Sequence, residues 1–316
     1  MINFTTYSDI EDLDSLVNLA KKIKEQPLQN ESLGKGKTIG LLFFNSSLRT
    51  RLSTQKAAQN LGLNVIVLNL SNEGWQLEFE EGVTMNNDKA EHVIEAAQVV
   101  SQYCDIIGIR TFAGLTNKEE DYYETVLNQF IKYANVPVVS LESATLHPLQ
   151  SLADVLTIQE HQKVKKPKVV LSWAPHVKPL PQAVANSFVQ WVKNTNVDLV
   201  ITNPKGYDLS EEFTEGISII HHQNEALKNA DFVYAKNWSQ YVNYGKISNE
   251  FKDWQITAEK MKLTNNAMFM HCLPVRRNVV VADEVLDGKN SLVIEQANNR
   301  TYAAQVVLTK ILQHED

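Results

Sequence analysis

Short apolar runs recur along the chain, separated by longer amphipathic stretches. The runs are 38–44, 64–68, 105–109, 136–140, 168–172, 198–201, 217–220, 231–235 and 267–270. They are brief and rich in Val, Ile and Phe, which reads as strands. Between most of them lie segments of helical period: 50–61, 89–103, 121–133, 149–161 and 182–193, with 10–26 at the start and 296–313 at the end. Strand–helix alternation predicts an α/β fold of parallel sheets flanked by helices. Nine strands in 316 residues are enough for two sheets and two domains. The expected division is 1–145, 146–295 and a last helix, 296–316, that packs back on the first domain. Ligands of open α/β sheets bind beyond the carboxyl ends of the strands. The residues that follow each strand are therefore where chemistry is sought.

Composition narrows the partners. Hydrophobic residues make up 43% and charged residues 21%, as in ordinary globular proteins. The net charge of −7 argues against nucleic acid or an anionic membrane surface as partner. Cys104 and Cys272 are the two cysteines, too few for a disulfide framework or a four-ligand zinc site. The N-terminus has neither a basic start nor an apolar run, and no stretch approaches the ~18–20 apolar residues of a membrane span. A cytoplasmic location is the expectation.

Four strand-end motifs carry candidate chemistry. Phe44-Asn45-Ser46-Ser47-Leu48-Arg49-Thr50-Arg51 follows a strand and opens a helix. Backbone N–H groups at a helix start, with Arg49 and Thr50 beside them, suit a phosphate; plain N-capping by Ser46 or Ser47 is the competing reading. Gly36-Lys37-Thr38 is not a P-loop, because Glu31 occupies the early glycine position and a strand follows. Arg110 ends a strand and can aim its fork at an anion, or be a surface charge. His147-Pro148-Leu149-Gln150 places His147 and Gln150 on one helical face, where both can donate to one carbonyl group; a capping histidine before a helix-opening proline is the alternative. His271-Cys272-Leu273-Pro274-Val275-Arg276-Arg277 sets a cysteine beside arginines, which would favour its thiolate, unless Cys272 is simply a buried structural thiol. His161, His176, His221, His222 and His314 read as solvated, and Lys163 to Lys168 as a solvated basic run.

In this order and spacing, the four motifs resemble the transcarbamylase family over nearly the whole chain. The resemblance implies a carbamoyl-phosphate domain followed by an amino-acid domain, assembled as a homotrimer. It implies that Ser46, Ser47, Leu48, Arg49 and Thr50 grip the phosphate. Arg110, His147, Gln150, Cys272 and Leu273 match the carbamoyl contacts, with Arg110, His147 and Cys272 the catalytic set. The Cys-Leu-Pro motif points to the ornithine branch. However, the Asp-x-x-x-Ser-Met-Gly loop that binds a free α-amino group there is absent. Ala235-Lys236-Asn237-Trp238 stands in its place, and a loop at 173–181 carries Pro175, Pro179 and Pro181. This pair resembles the N-acylornithine transcarbamylases, whose proline-rich loop encircles a later segment in a knotted backbone. In that branch Trp75 matches a tryptophan sent into a neighbouring subunit's site, Arg300 a carbamoyl contact, and Glu142, Lys236 and Arg276 amino-acid contacts. Acylation removes the cationic amine, so a lysine for the α-carboxylate in place of an aspartate makes chemical sense.

The implied reaction is carbamoyl transfer from carbamoyl phosphate to the δ-amine of an N-acylornithine, in arginine biosynthesis, without metal or organic cofactor. Acetyl enzymes resemble one another in a glutamate on the loop that reaches a neighbour's acyl pocket; here the matching residue is Ala90. They also carry a lysine where this chain has Val280. Both departures favour succinyl over acetyl, with Arg276 or Lys178 to meet the extra carboxylate. Free ornithine as substrate, and a non-catalytic binder of a phosphorylated metabolite, are the rival expectations.

Overall fold

The structure, a computed structural model, describes residues 1–71 and 74–314. It divides into two compact units. Unit 1 comprises Met1–Gly114, Glu119–Leu149 and the chain from Arg300 onward; unit 2 comprises Leu115–Lys118 and Gln150–Asn299.

Unit 1 runs α1 (Leu13–Glu25), β1 (Thr38–Phe43), α2 (Arg49–Asn60), β2 (Asn64–Asn69), β3 (Leu77–Glu78), β4 (Glu91–His92), α3 (Val93–Tyr103), β5 (Ile106–Arg110), α4 (Lys118–Tyr123), α5 (Thr125–Tyr133) and β6 (Val138–Glu142). Its main sheet is parallel, in the order β2-β1-β5-β6. β1 and β5 read out as expected, because their apolar residues are buried: Ile39, Leu41, Leu42 and Phe43 in β1, Ile106, Ile107 and Ile109 in β5. Gly108 has no Cβ because one would stand 2.9 Å from Leu41 Cδ2, so the strands can approach closely here.

Boundaries shift where side chains find better partners. The first helix starts at Leu13 instead of 10, because Asp12 caps it, accepting from the N–H groups of Asp14 and Ser15. The helix expected from 89 starts at Val93, with His92 as its cap. Lys89 is drawn away, donating to Glu78 at 2.9 Å. That ion pair, then the Glu80 N–H, pulls the Glu78 carboxyl down to about 2. The stretch 71–82, which shows no periodicity, contains β3, paired in parallel with β4. The helix expected over 121–133 breaks at Glu124, which takes φ 56°.

Unit 2 contains α6 (Pro148–His161) from Gln150 onward, then β7 (Lys168–Trp173), α7 (Ala183–Val192), β8 (Asp198–Thr202), α8 (Glu211–Thr214), β9 (Ser218–Ile220), α9 (Gln223–Leu227), β10 (Phe232–Lys236), α10 (Ala258–Met261), β11 (Met268–Met270), α11 (Asp283–Leu286) and the first part of α12 (Val293–Leu312). Its parallel sheet has the order β11-β10-β7-β8-β9. Val170, Val233 and Phe269 are fully buried in its core.

The strand order of each sheet reverses once. In unit 1 the chain leaves β1 toward β2 and returns on the other side through β5 and β6. In unit 2 it leaves β7 toward β8 and β9 and returns through β10 and β11. A ligand crevice is expected at the carboxyl ends flanking such a reversal. The residues there are Phe44–Thr50 and Arg110 in unit 1, and Ala174–Lys178 and Lys236 in unit 2. No described helix is long and apolar enough to cross a membrane.

Candidate active site

Unit 1 gathers its polar residues at the reversal. Neither Ser46 nor Ser47 caps α2. Its cap residue is Leu48, which makes no side-chain cap hydrogen bond. The capping reading of the serines therefore fails, and the helix start presents backbone donors and the positive end of its dipole. Arg49 begins this helix and Thr50 is buried behind it.

A register shift between Ile109 and Arg110 sets Arg110 opposite Glu142 on β6. Bulges commonly re-aim a side chain beside a site. Arg110 Nη2 donates to Glu142 Oε2 at 3.0 Å, and Nη1 donates to the carbonyls of Asn45 (3.0 Å) and Ser46 (2.6 Å). The guanidinium also lies 4.2 Å from the ring centroid of Phe112. Arg110 is thus no surface charge: its fork is locked to the loop that opens α2. His147 Nε2 stands 3.5 Å from Glu142 Oε2 and 3.5 Å from Arg300 Nη2. Arg300 Nη2 donates to Thr50 Oγ1 at 2.5 Å. Asn60 donates to Gln305 at 2.8 Å, tying α2 to the later part of α12. Thr50, Arg110, Glu142, His147 and Arg300 therefore form one buried constellation.

Unit 2 holds two groupings. In the first, Asp154 Oδ1 accepts from Gln150 at 2.8 Å and from Gln296 at 2.7 Å, while Gln296 Oε1 accepts the His271 N–H at 2.9 Å. Gln150 thus donates to Asp154 here. His271 Nδ1 accepts the Leu273 N–H at 2.8 Å, so His271 shapes the turn. Leu273 has φ 54°, a left-handed conformation that is costly for a bulky residue and frequent at functional sites. Cys272 is buried beside the Tyr234 hydroxyl. Burial, then Asp154 and Cys272, push the Tyr234 hydroxyl well above its ordinary value, so it remains a donor. Cys104 packs against Gly40, and burial pushes its thiol up.

The second grouping is cationic. Arg276 Nε donates to His176 Nε2 at 3.2 Å, and Nδ1 lies 3.0 Å from the Lys178 carbonyl and 3.1 Å from the Lys178 N–H. Burial holds His176 below its ordinary 6.5, and the positive charges of Lys236, Arg276 and Lys178 act in the same direction. The side chains of Lys178 and Arg276 are exposed, and Lys236 is half-buried.

Two family profiles match this chain. The aspartate/ornithine carbamoyltransferase carbamoyl-P binding domain covers residues 2–160, and the Asp/Orn binding domain covers 181–311. The chain belongs to the aspartate/ornithine carbamoyltransferase family. Among its relatives, an N-succinylornithine carbamoyltransferase of Bacteroides thetaiotaomicron is 50% identical over 315 residues, 99% of either chain. An N-acetylornithine carbamoyltransferase of Xylella fastidiosa is 36% identical, over 95% of either chain. An acetylornithine transcarbamylase crystallised with acetylcitrulline superimposes with a TM-score of 0.93 at 35% identity, covering 98% of this chain and 99% of that one. Variants of N-acetyl-L-ornithine transcarbamylase, in which one glutamate is replaced by alanine, proline, valine or serine, were crystallised with carbamyl phosphate and N-succinyl-L-norvaline.

His176 departs from the expectation of a solvated histidine: it is half-buried and lies near Lys178, Lys236 and Arg276. Its position just past β7, beside the reversal, was the available signal. His161 and His221 also have partners, Glu295 at 2.5 Å and the Asn203 carbonyl at 3.0 Å. Because the folded value of His176 is depressed, the neutral arrangement is complete above pH ~6.5 and is lost as pH falls through the folded value. The KM for the amino-acid substrate is expected to rise as pH falls through that depressed value, which lies below 6.5. His176→Asn, which cannot gain a proton, is expected to flatten that limb. A limb unchanged in His176→Asn assigns it to another group.

Proposed function

We propose that this chain transfers the carbamoyl group of carbamoyl phosphate to the δ-amine of N-succinylornithine, releasing N-succinylcitrulline and phosphate, as a cytoplasmic enzyme of arginine biosynthesis. The observation that carries the reading is the buried constellation of Thr50, Arg110, Glu142, His147 and Arg300 beside the uncapped start of α2. Ser46, Ser47, Leu48, Arg49 and Thr50 hold the phosphate with backbone and side-chain donors. Arg110, His147 and Thr50 meet the carbonyl oxygen as it gains charge on attack. Donors fixed in place before the reaction are worth ~3–4 kcal/mol each. The amine must attack as a free base, although an ordinary alkyl amine has a pKa of about 10.4. Glu142 or Cys272 orients or takes its proton, or the departing phosphate takes it. No metal or organic cofactor enters these steps.

In unit 2, Lys236 receives the α-carboxylate, and Arg276 or Lys178 the succinyl carboxylate. Gln150 and Leu273 complete the carbamoyl contacts. The cationic grouping around His176 supports an acidic, acylated substrate over free ornithine. The 50% identity with an N-succinylornithine enzyme supports the succinyl group. So does Ala90, which matches the acetyl branch's glutamate, because glutamate variants of the acetyl enzyme accommodate a succinyl ligand. The proline-rich loop is tied to the segment around Trp238: Trp173 donates to the Trp238 carbonyl at 2.9 Å and the Ser239 N–H to the Leu180 carbonyl at 3.0 Å. These ties support encirclement and a knotted unit 2. The test offers carbamoyl phosphate with ornithine, N-acetylornithine, N-succinylornithine and aspartate in parallel. Fast turnover of N-succinylornithine supports the reading; preference for any other amine, or no turnover, overturns it.

The same reading makes the enzyme a homotrimer with shared sites. Leu48, Leu52, Ile66, Leu68, Trp75 and Tyr103 are all exposed on unit 1, with Trp75 at 61% and Tyr103 at 69%. Exposed aromatic residues of this size commonly anchor interfaces. Trp75→Ala and Arg49→Ala chains are each expected to be inactive alone. Mixed after subunit exchange, they are expected to regain part of the activity, since some sites combine an intact Trp75 with an intact Arg49. Exchange without recovery rules out sharing.

A further inference from the structure

Glu124 stands out in unit 1. Glutamate favours helix interiors, yet the chain breaks here between α4 and α5, and Glu124 takes φ 56°, ψ 42°. That left-handed conformation ordinarily falls to glycine or asparagine. A carboxylate at a helix cap also ordinarily accepts from its own helix; the Glu124 side chain makes no such bond to α5.

The side chain instead reaches the loop between β6 and α6. Oε1 accepts from Ser143 Oγ (2.6 Å), the Thr145 N–H (2.7 Å) and Thr145 Oγ1 (2.5 Å), and Oε2 accepts from the Ala144 N–H (3.0 Å). One carboxylate thus serves four donors, three at Oε1 and one at Oε2. Burial pushes the Glu124 carboxyl up, and these four bonds oppose that rise. The loop is closed on itself as well, by the Ser143 N–H donating to the Leu146 carbonyl at 2.8 Å. Immediately before this loop stands Glu142, and immediately after it His147, two members of the buried constellation. The strained backbone at 124 is therefore coupled to the exact segment that carries His147 into place.

We propose that Glu124 is a positioning residue for His147, acting through the Ser143–Leu146 loop and touching no substrate. This rests on the reading of His147 as the group that polarises the carbamoyl oxygen. A displacement of about 1 Å at such a group costs about 10²-fold in rate. Glutamine at 124 keeps one acceptor oxygen but turns an amide donor toward the Ala144 N–H, so it loosens the loop at nearly constant volume.

The test is a double-mutant cycle on the full-length enzyme, with carbamoyl phosphate and N-succinylornithine as substrates. Glu124→Gln is expected to lower kcat about 10- to 100-fold and to raise the KM for carbamoyl phosphate. The KM for N-succinylornithine is expected to stay within about twofold. In a His147→Ala background, Glu124→Gln is expected to change kcat less than about twofold, because the group it positions is gone. Glu124→Asp, a shorter acceptor of the same charge, is expected to recover part of the rate, and it serves if the glutamine variant does not fold. Equal losses in both backgrounds, or wild-type kinetics in Glu124→Gln, overturn the proposal. A His147→Ala enzyme with wild-type kcat removes the His147 reading itself, and this proposal with it.

Discussion

Arg110→Ala is expected to lose carbamoyl transfer by about 10²- to 10³-fold and to unfold at lower denaturant, and a second substitution is expected to separate the two losses. The rate effect follows from a fixed guanidinium at the point where phosphate and carbonyl charge are read to develop; one lost donor of that kind costs ~3–4 kcal/mol. The stability effect has a different origin. The side chains of Arg110 and Glu142 are only 8% and 10% exposed. Removing the arginine leaves the Glu142 carboxylate buried without its guanidinium partner, and breaking a buried pair typically costs about 3–5 kcal/mol. It also strands the carbonyls of Asn45 and Ser46, which Arg110 serves at 3.0 and 2.6 Å. Arg110→Ala/Glu142→Ala removes both charges and is expected to recover most of the denaturant midpoint while remaining inactive. Urea unfolding and kcat/KM for the three variants decide this. If the double variant is as unstable as Arg110→Ala, the loss lies in the two carbonyls and not in the ion pair.

The strands were legible because burial decides them. All nine apolar runs became strands within two residues at each end; most face a buried core, whereas β2 forms with Ile66 and Leu68 exposed. The site was legible at strand ends for the same topological reason. Arg110 and Lys236 close inner strands, and His147 follows the edge strand β6. What local pattern could not carry was set by side chains reaching across the chain. The Lys89–Glu78 pair and the break at Glu124 each depend on a partner outside the helical window. His176 was missed on similar grounds: its surroundings are Arg276, 100 residues away, and Lys236 on another strand. The register shift that faces Arg110 toward Glu142 has no signature in either strand alone.

Acyl specificity turns on one small residue, and Ala90→Glu is expected to invert it. Ala90 is exposed, and its N–H donates to the Gln76 carbonyl at 3.2 Å, next to the pairing of Leu77 with Glu91. The backbone at 90 is therefore held in register with β3 and β4. Glu91, the neighbouring carboxylate, accepts from the Trp75 indole at 2.8 Å, so it is engaged within its own loop. In the proposed trimer this loop serves a neighbour's acyl pocket, and alanine leaves room there for the succinyl carboxylate. A glutamate at 90 would set a second carboxylate beside it. At about 4 Å and an effective dielectric near 20, two like charges repel by about 4 kcal/mol. That corresponds to nearly 10³-fold in kcat/KM for N-succinylornithine, whereas N-acetylornithine carries no charge at that end to repel. Ala90→Gln supplies the control, because it matches glutamate in size and lacks its charge. The glutamine variant is expected to keep its preference for N-succinylornithine with at most about a tenfold loss. If glutamate and glutamine reduce succinyl turnover equally, volume and not charge sets the specificity. If neither changes the ratio of the two substrates, Ala90 does not face the acyl group.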